Sequence, residues 1–326
     1  MKAMEATEAM TVNRFVTTRR GLVCLASLVV FVLTPLATSA QPATTAWGDP
    51  DLQGIWTNFD LGEGFSLEAP PPPGVRASRL LIGTGTCIPS DESLPPSGGA
   101  AGIGPPEHWF ETATDVGKVR PSLIAEPAHG RLPPLTDAGS KRIDNVCRKA
   151  FDDFVYLDPW VRCITRGVPG STFPSLYNNA YQILQIPGYV ILRYEMIHDA
   201  RIIPVSDGPL PESDVRFWMG RPRGYFEGNT LVVETTNFTD RSAIRGHAHT
   251  DKLTVTERFT PTGADSLDYE AFVTDAETWV TPWTAQIGLS RNDTYSMYEY
   301  ACHEGNRHAM TSMLSGARAD ERAAEK

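Results

Sequence analysis

Short runs of alternating apolar and polar residues fill the chain between residues 181 and 304, with turn signals between them. Alternation with a period of two predicts strands that bury one face. Pro187 with Gly188, and Gly228 with Asn229, predict tight hairpins between consecutive strands. The nine predicted strands are Tyr181–Ile186, Tyr189–Met196, Arg201–Val205, Gly224–Glu227, Thr230–Phe238, Leu253–Thr260, Ser266–Thr274, Trp279–Leu289 and Tyr295–Glu304.

No helical pattern interrupts this series, so the predicted fold class is mainly β. Sequential strands with short connections are typical of an antiparallel meander. Closure into a lipocalin-like β-barrel over residues 161–305 would remove the exposed sheet edges. A β-sandwich is the alternative, because the sequence does not show which edges meet.

Three further segments flank the predicted barrel. Residues 41–141 contain 15 Pro and 14 Gly, which predicts a Pro/Gly-rich irregular arm over 41–135. Within this arm, residues 51–58 place a Trp between apolar residues and are expected to act as an anchor. Thr136 and Asp137 form a plausible N-cap for a helix within 136–160, and residues 306–326 predict a C-terminal helix and tail.

The first forty residues have the layout of a secretory signal. Four basic residues precede the apolar run 22–33, and the segment ends in small residues at Ala40. A membrane anchor is the competing interpretation, but the apolar run is short for a bilayer. We therefore expect a periplasmic or secreted protein without a membrane span after signal removal. Arg19 and Arg20 also fit a twin-arginine signal, so the export route stays open.

Charge and cysteine content narrow the partners and the compartment. The formal charge of −10 disfavours nucleic acid as a partner, because an acidic surface repels phosphates. Removing the signal leaves four of the five cysteines, and an even number in an exported chain indicates two disulfides. We expect Cys163–Cys302, since barrel closure brings the first and last strands together, and Cys87–Cys147 by elimination.

Several longer motifs resemble those of a family of uncharacterised exported proteins from soil and aquatic bacteria. The motifs are residues 130–136, 162–169, 201–204, 224–235, 257–259 and 298–306, and the likeness covers most of the chain after residue 40. The resemblance implies export and a shared fold. It implies no particular activity.

Strand alternation places one carboxylate inside the predicted barrel. Glu257 shares a face with Leu253, Val255 and Phe259, and burial without a partner would cost several kcal/mol. Glu257 is therefore either paired with an inward Arg or a Tyr hydroxyl, or it handles protons in a cavity. Glu299 and His303 share a face of the last predicted strand. The candidate catalytic residues are accordingly His303, Glu257 and Glu299, for cofactor-free acid–base chemistry of the lyase, isomerase or cyclase type.

Inward aromatic side chains suggest a small, largely apolar ligand. Candidate ligand-binding residues are Tyr269, Trp279, Trp283 and Tyr194, although the same rings could simply fill the core. On the strand of Tyr194, the alternation points Arg193 and Glu195 towards solvent. A carrier without turnover and an envelope interaction protein are the alternatives to an enzyme, and the oligomeric state is not predicted.

A metal-dependent hydrolase is the third hypothesis. His247 and His249 stand two residues apart, as a ligand pair on one strand face would, and His303 could be a third ligand. The pair lies in an expected loop and lacks the nearby Glu of the cupin pattern, so metal binding is disfavoured and no cofactor is assigned. The sequence also has no G-x-S-x-G elbow, P-loop or H-E-x-x-H motif.

Overall fold

The computed structural model describes residues 43–58, 67–69, 81–82, 86–87, 122–149, 152–175, 177–206, 208 and 214–324. The segment expected to be a signal and most of the expected arm lie outside these residues. Two α-helices are described, α1 (Asp137–Arg148) and α2 (Asn306–Ala324). The strands are β1 (Gly54–Thr57), β2 (Leu81–Ile82), β3 (Thr86–Cys87), β4 (Ile124–Glu126), β5 (Tyr181–Ile186), β6 (Tyr189–Tyr194), β7 (Ala200–Pro204), β8 (Arg221–Glu227), β9 (Thr230–Thr236), β10 (Ala243–Ile244), β11 (His247–Ala248), β12 (Thr254–Pro261), β13 (Ser266–Thr274) and β14 (Trp283–Arg291).

Nine strands form one antiparallel sheet that is nearly closed into a barrel. Their order is β7-β6-β5-β1-β14-β13-β12-β9-β8, and the short strand β4 pairs with β14 outside this path. The mainly β, antiparallel barrel expected from the sequence is thus confirmed. Eight of its strands match predicted ones, and the hairpin turns at Gly188 and Gly228 have the positive φ values that such tight turns require.

The two edge strands of the sheet, β7 and β8, meet at the junction that nearly closes the barrel. Val205 and Gly224 form an isolated parallel bridge, and the backbone N–H of Ser206 donates to the Gly224 carbonyl at 2.9 Å. A Cβ at Gly224 would lie 2.9 Å from Cγ2 of Ile203. Glycine therefore permits the close approach of β8 to β7 at this junction.

The inward faces of the strands form the core, as the alternation predicts. Leu253, Val255, Glu257 and Phe259 are each at most 1% exposed. The largest fully buried side chains are aromatic or long aliphatic, and all of them except Leu157 belong to one hydrophobic cluster. Close packing of this kind is what stabilises a barrel of this size.

Helix α1 begins where the sequence predicts. The Thr136 hydroxyl accepts a hydrogen bond from the backbone N–H of Gly139 at 3.0 Å, so Thr136 is the N-cap. Gly139 packs against the backbone of Thr278, where an added Cβ would lie within 2.4 Å of the carbonyl oxygen. Helix α1 is therefore docked against the segment between β13 and β14.

Two parts of the fold differ from the sequence prediction. Strand β1 lies between β5 and β14 inside the sheet, so the region expected as an arm supplies a central strand. Residues 295–304 form no strand. They run as a loop that side chains and a disulfide hold in place instead of backbone pairing.

Candidate functional site

A charged pair lies inside the barrel. Arg201 on β7 donates from Nη1 to Oε1 of Glu257 at 2.9 Å and from Nη2 to Oε2 at 2.6 Å. The Tyr269 hydroxyl donates to the same Oε1 at 2.8 Å, and Arg201 Nη2 also donates to Thr235 Oγ1 at 3.0 Å. The two charged side chains are 2% and 0% exposed. This is the bidentate geometry that a planar guanidinium forms with a carboxylate.

Burial and charge oppose each other at this pair. Burial acts to lower the pKa of Arg201, but the Glu257 carboxylate outweighs it and raises that pKa above its ordinary value. Burial also raises the pKa of the Tyr269 hydroxyl, and the charge of Glu257 raises it further. Tyr269 therefore stays a neutral donor. Because Glu257 already accepts three hydrogen bonds, the pair joins β7, β12 and β13 across the interior, which is the structural alternative of the two that the sequence left open.

The other two residues of the expected catalytic set lie away from this pair. Glu299 and His303 are both exposed, and His303 lies in a turn rather than on a strand. Glu257 is fully buried, so the three side chains do not line one pocket. The shared strand face expected for Glu299 and His303 is absent, because residues 295–304 pair with no strand. Their catalytic role stays a prediction.

The four expected ligand-binding aromatics lie in the packed core. Tyr269, Trp279, Trp283 and Tyr194 are each at most 2% exposed and all belong to the hydrophobic cluster. Trp279 and Trp283 pack edge to face with ring centroids 5.6 Å apart. The surroundings of these rings therefore agree with the alternative interpretation, in which they fill the core. Of the four, Tyr194 also lines a cleft near the start of β5.

The histidines of the 247–249 motif are buried, with His247 on β11 and His249 just after it. The His249 ring packs edge to face against Phe238 at a centroid distance of 5.7 Å, and its Nδ1 lies 2.9 Å from the Thr250 carbonyl oxygen. The expected third ligand, His303, is exposed. Within the described ranges, no group of three or more His, Cys, Asp or Glu side chains could hold a metal ion.

Burial lowers the pKa of both His247 and His249, and we expect this to make the protein less stable in acid. Below about pH 6.5, the ordinary histidine pKa, the unfolded chain binds protons that the folded chain does not. The free energy of unfolding should therefore fall with pH, by at most about 1.4 kcal/mol per pH unit for each histidine. Urea unfolding between about pH 8 and pH 5 measures this slope.

The variant His249→Asn should have a shallower slope than the wild type, whereas His308→Asn, at an exposed position, should leave it unchanged. Burial raises the pKa of Asp158 to about 6, so Asp158 favours the folded state as the pH falls from about 6 to 4. The wild type and both variants contain Asp158, so its opposite contribution to the slope is the same in all three and cancels when the slopes are compared. Equal slopes for the wild type and His249→Asn would contradict the prediction.

A narrow polar cleft lies where β1 ends and β5 begins. Polar side chains that line it include Asn58, Arg166, Ser171, Asn178, Tyr181 and Tyr194. The empty space among them, about 190 Å³ with open solvent included, is divided into narrow gaps. Trp56 of β1 pairs with Tyr181 of β5, so the chain leaving β1 and the chain entering β5 form one wall of the cleft.

Two arginines approach each other beside the cleft. Arg166 is 7% exposed, and its Nη1 donates to the carbonyl oxygen of Phe173 at 3.2 Å. Arg245 is half-buried and donates to the carbonyl of Pro174 at 2.6 Å. Burial lowers the pKa of Arg166 to about 10 and that of Arg245 to about 9, and the charge of Arg166 adds to the effect on Arg245. Both side chains remain cationic at neutral pH, and their hydrogen bonds go to neutral carbonyls.

Asp158 is the carboxylate whose charge acts on Arg166. It accepts the backbone N–H of Trp160 at 2.7 Å, and its own pKa is raised to about 6 by burial. The Trp160 ring lies over the Arg166 guanidinium at 5.2 Å from the ring centroid. The charge of Asp158 acts on Arg166 and on Arg162, whereas the charge that acts on Arg245 is that of Arg166.

Residues 292–305 form a loop that we call the strap, and it is fastened beside the cleft. Cys302 forms a disulfide with Cys163, which confirms that pairing although Cys302 lies in a turn. The Tyr300 ring stacks on Tyr177 with centroids 6.2 Å apart, and His198 Nδ1 lies 2.9 Å from the Tyr300 carbonyl oxygen. The side chains of Cys87 and Cys147 lie outside the described part, so their pairing stays a prediction.

Glu195 holds the other end of the strap. Its carboxylate accepts hydrogen bonds from the Tyr295 hydroxyl at 3.0 Å and from the backbone N–H of Tyr298 at 2.8 Å. It also accepts from Nδ2 of Asn178 at 2.9 Å, which connects the strap to the cleft wall. Glu195 is 1% exposed, so the prediction that it faces solvent is wrong. The alternation ends with β6 at Tyr194, because a turn begins there and redirects the next side chain inward.

Unusual backbone conformations cluster around the cleft and the strap. Cys163, Asn178, Ile197, His198 and Arg245 all have φ between 47° and 64°, a region that non-glycine residues seldom adopt. Ile197 is the least expected of them, since a branched Cβ is strained at positive φ. Such strain persists where the surrounding structure enforces it and is concentrated at binding and catalytic sites.

Sequence reasoning did not identify this cleft. Arg166 and Asn178 lie in residues 161–180, which carry neither a helical nor an alternating pattern, and Asn58 belongs to the expected arm. The available signal was the motif 162–169, in which two arginines, a glycine and a proline interrupt apolar residues. No pattern of that kind specifies what the arginines face.

No family model, curated protein or solved structure matches this chain. The described residues include no helix that is both long enough and apolar enough to cross a bilayer. The disulfide between Cys163 and Cys302 is consistent with folding in an oxidising compartment.

Proposed function

We propose that the protein is an exported binding protein for small organic acids, and that their carboxylate binds at Arg166 in the polar cleft. The observation that carries the proposal is the pair Arg166 and Arg245. Arg166 is buried and Arg245 is half-buried, the charge of Arg166 lowers the pKa of Arg245, and both donate to neutral carbonyls. An anion placed between them would relieve their repulsion and form charge-assisted hydrogen bonds.

The proposal changes the ligand that the sequence suggested. The aromatic side chains expected to line an apolar cavity pack against one another in the core, and the cleft is lined mainly by polar groups. A small apolar molecule would leave those polar groups without partners. A carboxylate matches them better, and a carrier role without turnover needs no free acid–base pair.

Titration calorimetry with acetate, succinate and citrate tests the proposal. We expect binding of at least one of these acids to the wild type. Arg166→Gln should weaken that binding by about tenfold or more, because hydrogen bonds to a charged group are worth roughly 1.5–3 kcal/mol. The variant should remain folded, since it also removes the repulsion between Arg166 and Arg245.

Arg193→Gln is the matched control, because Arg193 is an exposed arginine of β6 that does not line the cleft. Arg193→Gln changes the net charge of the protein by the same amount as Arg166→Gln. It should bind the acids as the wild type does. The proposal is wrong if none of the three acids binds, or if both variants weaken binding equally. Equal weakening would mean that the acids respond only to the overall charge of the protein.

A further inference from the structure

We infer that the acid bound in the cleft also carries a hydroxyl or amino group close to its carboxylate, and that this group donates a hydrogen bond to Oδ1 of Asn58. The inference rests on the proposed function, because it assigns the carboxylate to Arg166. It narrows the ligand from any small carboxylate to hydroxy or amino carboxylic acids.

Asn58 presents an acceptor that nothing in the described part of the chain satisfies. The residue is 2% exposed, and its Oδ1 is buried without a hydrogen-bond donor. Its Nδ2 donates to the Thr172 carbonyl at 3.5 Å. Because the Thr172 carbonyl can only accept, the Asn58 atom that faces it is Nδ2, and Oδ1 of the same amide points away from Thr172. A buried acceptor without a donor costs roughly 1–3 kcal/mol, which a donor on the ligand would recover.

Tyr181 adds a second unsatisfied group to the same lining. Its ring is 2% exposed, and its hydroxyl has no hydrogen-bond partner among the described residues. Burial raises the pKa of this hydroxyl well above its ordinary value, so it stays protonated. A phenol can both donate and accept, and it can therefore serve either the carboxylate or the hydroxyl of a ligand.

These groups line the same cleft, and the strand register brings two of their segments to it. Trp56 of β1 pairs with Tyr181 of β5, and Asn58 follows two residues after Trp56 at the same end of the barrel. Arg166 belongs to the separate segment 163–170 and also lines the cleft. A cation and an unsatisfied acceptor thus border the same gaps. Arg166 can pair with the carboxylate of a hydroxy acid, and Oδ1 of Asn58 can accept from its hydroxyl.

The size of the cleft limits the ligand further. Its empty space consists of narrow gaps, and the figure of about 190 Å³ for that space includes open solvent. A planar carboxylate with one neighbouring polar group suits narrow gaps better than a bulky ring. The probes should therefore be small acids that differ only in the hydroxyl group.

Matched pairs of acids test the inference by calorimetry: malate against succinate, and lactate against propionate. We expect the wild type to bind the hydroxy acid of at least one pair about tenfold more tightly than its deoxy partner. Asn58→Leu keeps a similar side-chain volume and removes the acceptor. It should abolish this preference and leave the affinity for succinate or propionate nearly unchanged.

Tyr181→Phe is the second variant, which removes only the hydroxyl in case Asn58→Leu fails to fold. It should reduce the preference for the hydroxy acid, whereas Tyr189→Phe, at an exposed tyrosine of β6, should not. Equal affinity of the wild type for both members of each pair would overturn the inference and leave the proposed carboxylate site standing. A wild type that binds none of these four acids, and neither acetate nor citrate, would overturn both.

Discussion

Replacing Glu257 with glutamine is expected to lower the free energy of unfolding by about 3–5 kcal/mol, the usual cost of removing one partner of a buried ion pair. The substitution keeps the shape of the side chain but leaves the Arg201 guanidinium charged, buried and without its counter-ion. Tyr269 also loses a charged acceptor. Urea unfolding followed by tryptophan fluorescence measures the change directly.

Glu227→Gln is the control for this substitution. Glu227 pairs with Arg258 on the barrel surface, where the two side chains are 49% and 37% exposed, and an exposed pair contributes at most about 1 kcal/mol. The double variant Arg201→Met with Glu257→Leu removes both charges and should regain much of the lost stability. If Glu257→Gln is as stable as Glu227→Gln, the buried pair does not hold the barrel together.

Removing the disulfide is expected to have an effect of similar size. The bridge joins residues 139 positions apart, and closing so long a loop stabilises by at most about 5 kcal/mol in the chain-entropy model. The double variant Cys163→Ala with Cys302→Ala should unfold at a lower urea concentration. We also expect weaker binding of organic acids, because the strap that supports the wall of the cleft is no longer covalently attached.

The same protein under reducing conditions provides an independent comparison. Dithiothreitol should destabilise the wild type and have no further effect through this bridge on the alanine double variant. Unfolding of the wild type and the double variant at the same urea concentration would show that the strap contributes no stability. In that case the hydrogen bonds to Glu195 would be sufficient to hold it.

The sequence predicted those parts of the fold in which one physical rule acts alone. Strand β12 alternates over eight residues with one face buried, so the burial of Glu257 followed from its neighbours Val255 and Phe259. The Thr136 N-cap followed from local chemistry. The pairing of Cys163 with Cys302 was correct for an incorrect reason. Cys302 lies in the strap beside Cys163 and not on a strand that closes the barrel.

The remaining features depend on contacts that are distant in sequence. Strand β1 has four residues, too few for alternation to be visible, and it becomes a strand because β5 and β14 pair with both of its edges. The repeated tyrosines of the strap imitate a strand pattern, whereas Tyr295 and Tyr300 contact Glu195 and Tyr177. The cleft unites Asn58, Arg166 and Tyr181 only after folding, so no local pattern could reveal it.

The odd number of strands in the barrel has a consequence for the loops that connect them. In a ring of nine strands, antiparallel pairing cannot continue all the way round, so one junction must be parallel; here it lies between β7 and β8. Parallel neighbours cannot be joined by a two-residue hairpin and need a crossover connection. This explains why residues 205–220 separate β7 from β8, whereas only Pro187 and Gly188 separate β5 from β6. The long connection is therefore a requirement of strand number, and shortening it to a hairpin would force the protein to adopt a different topology.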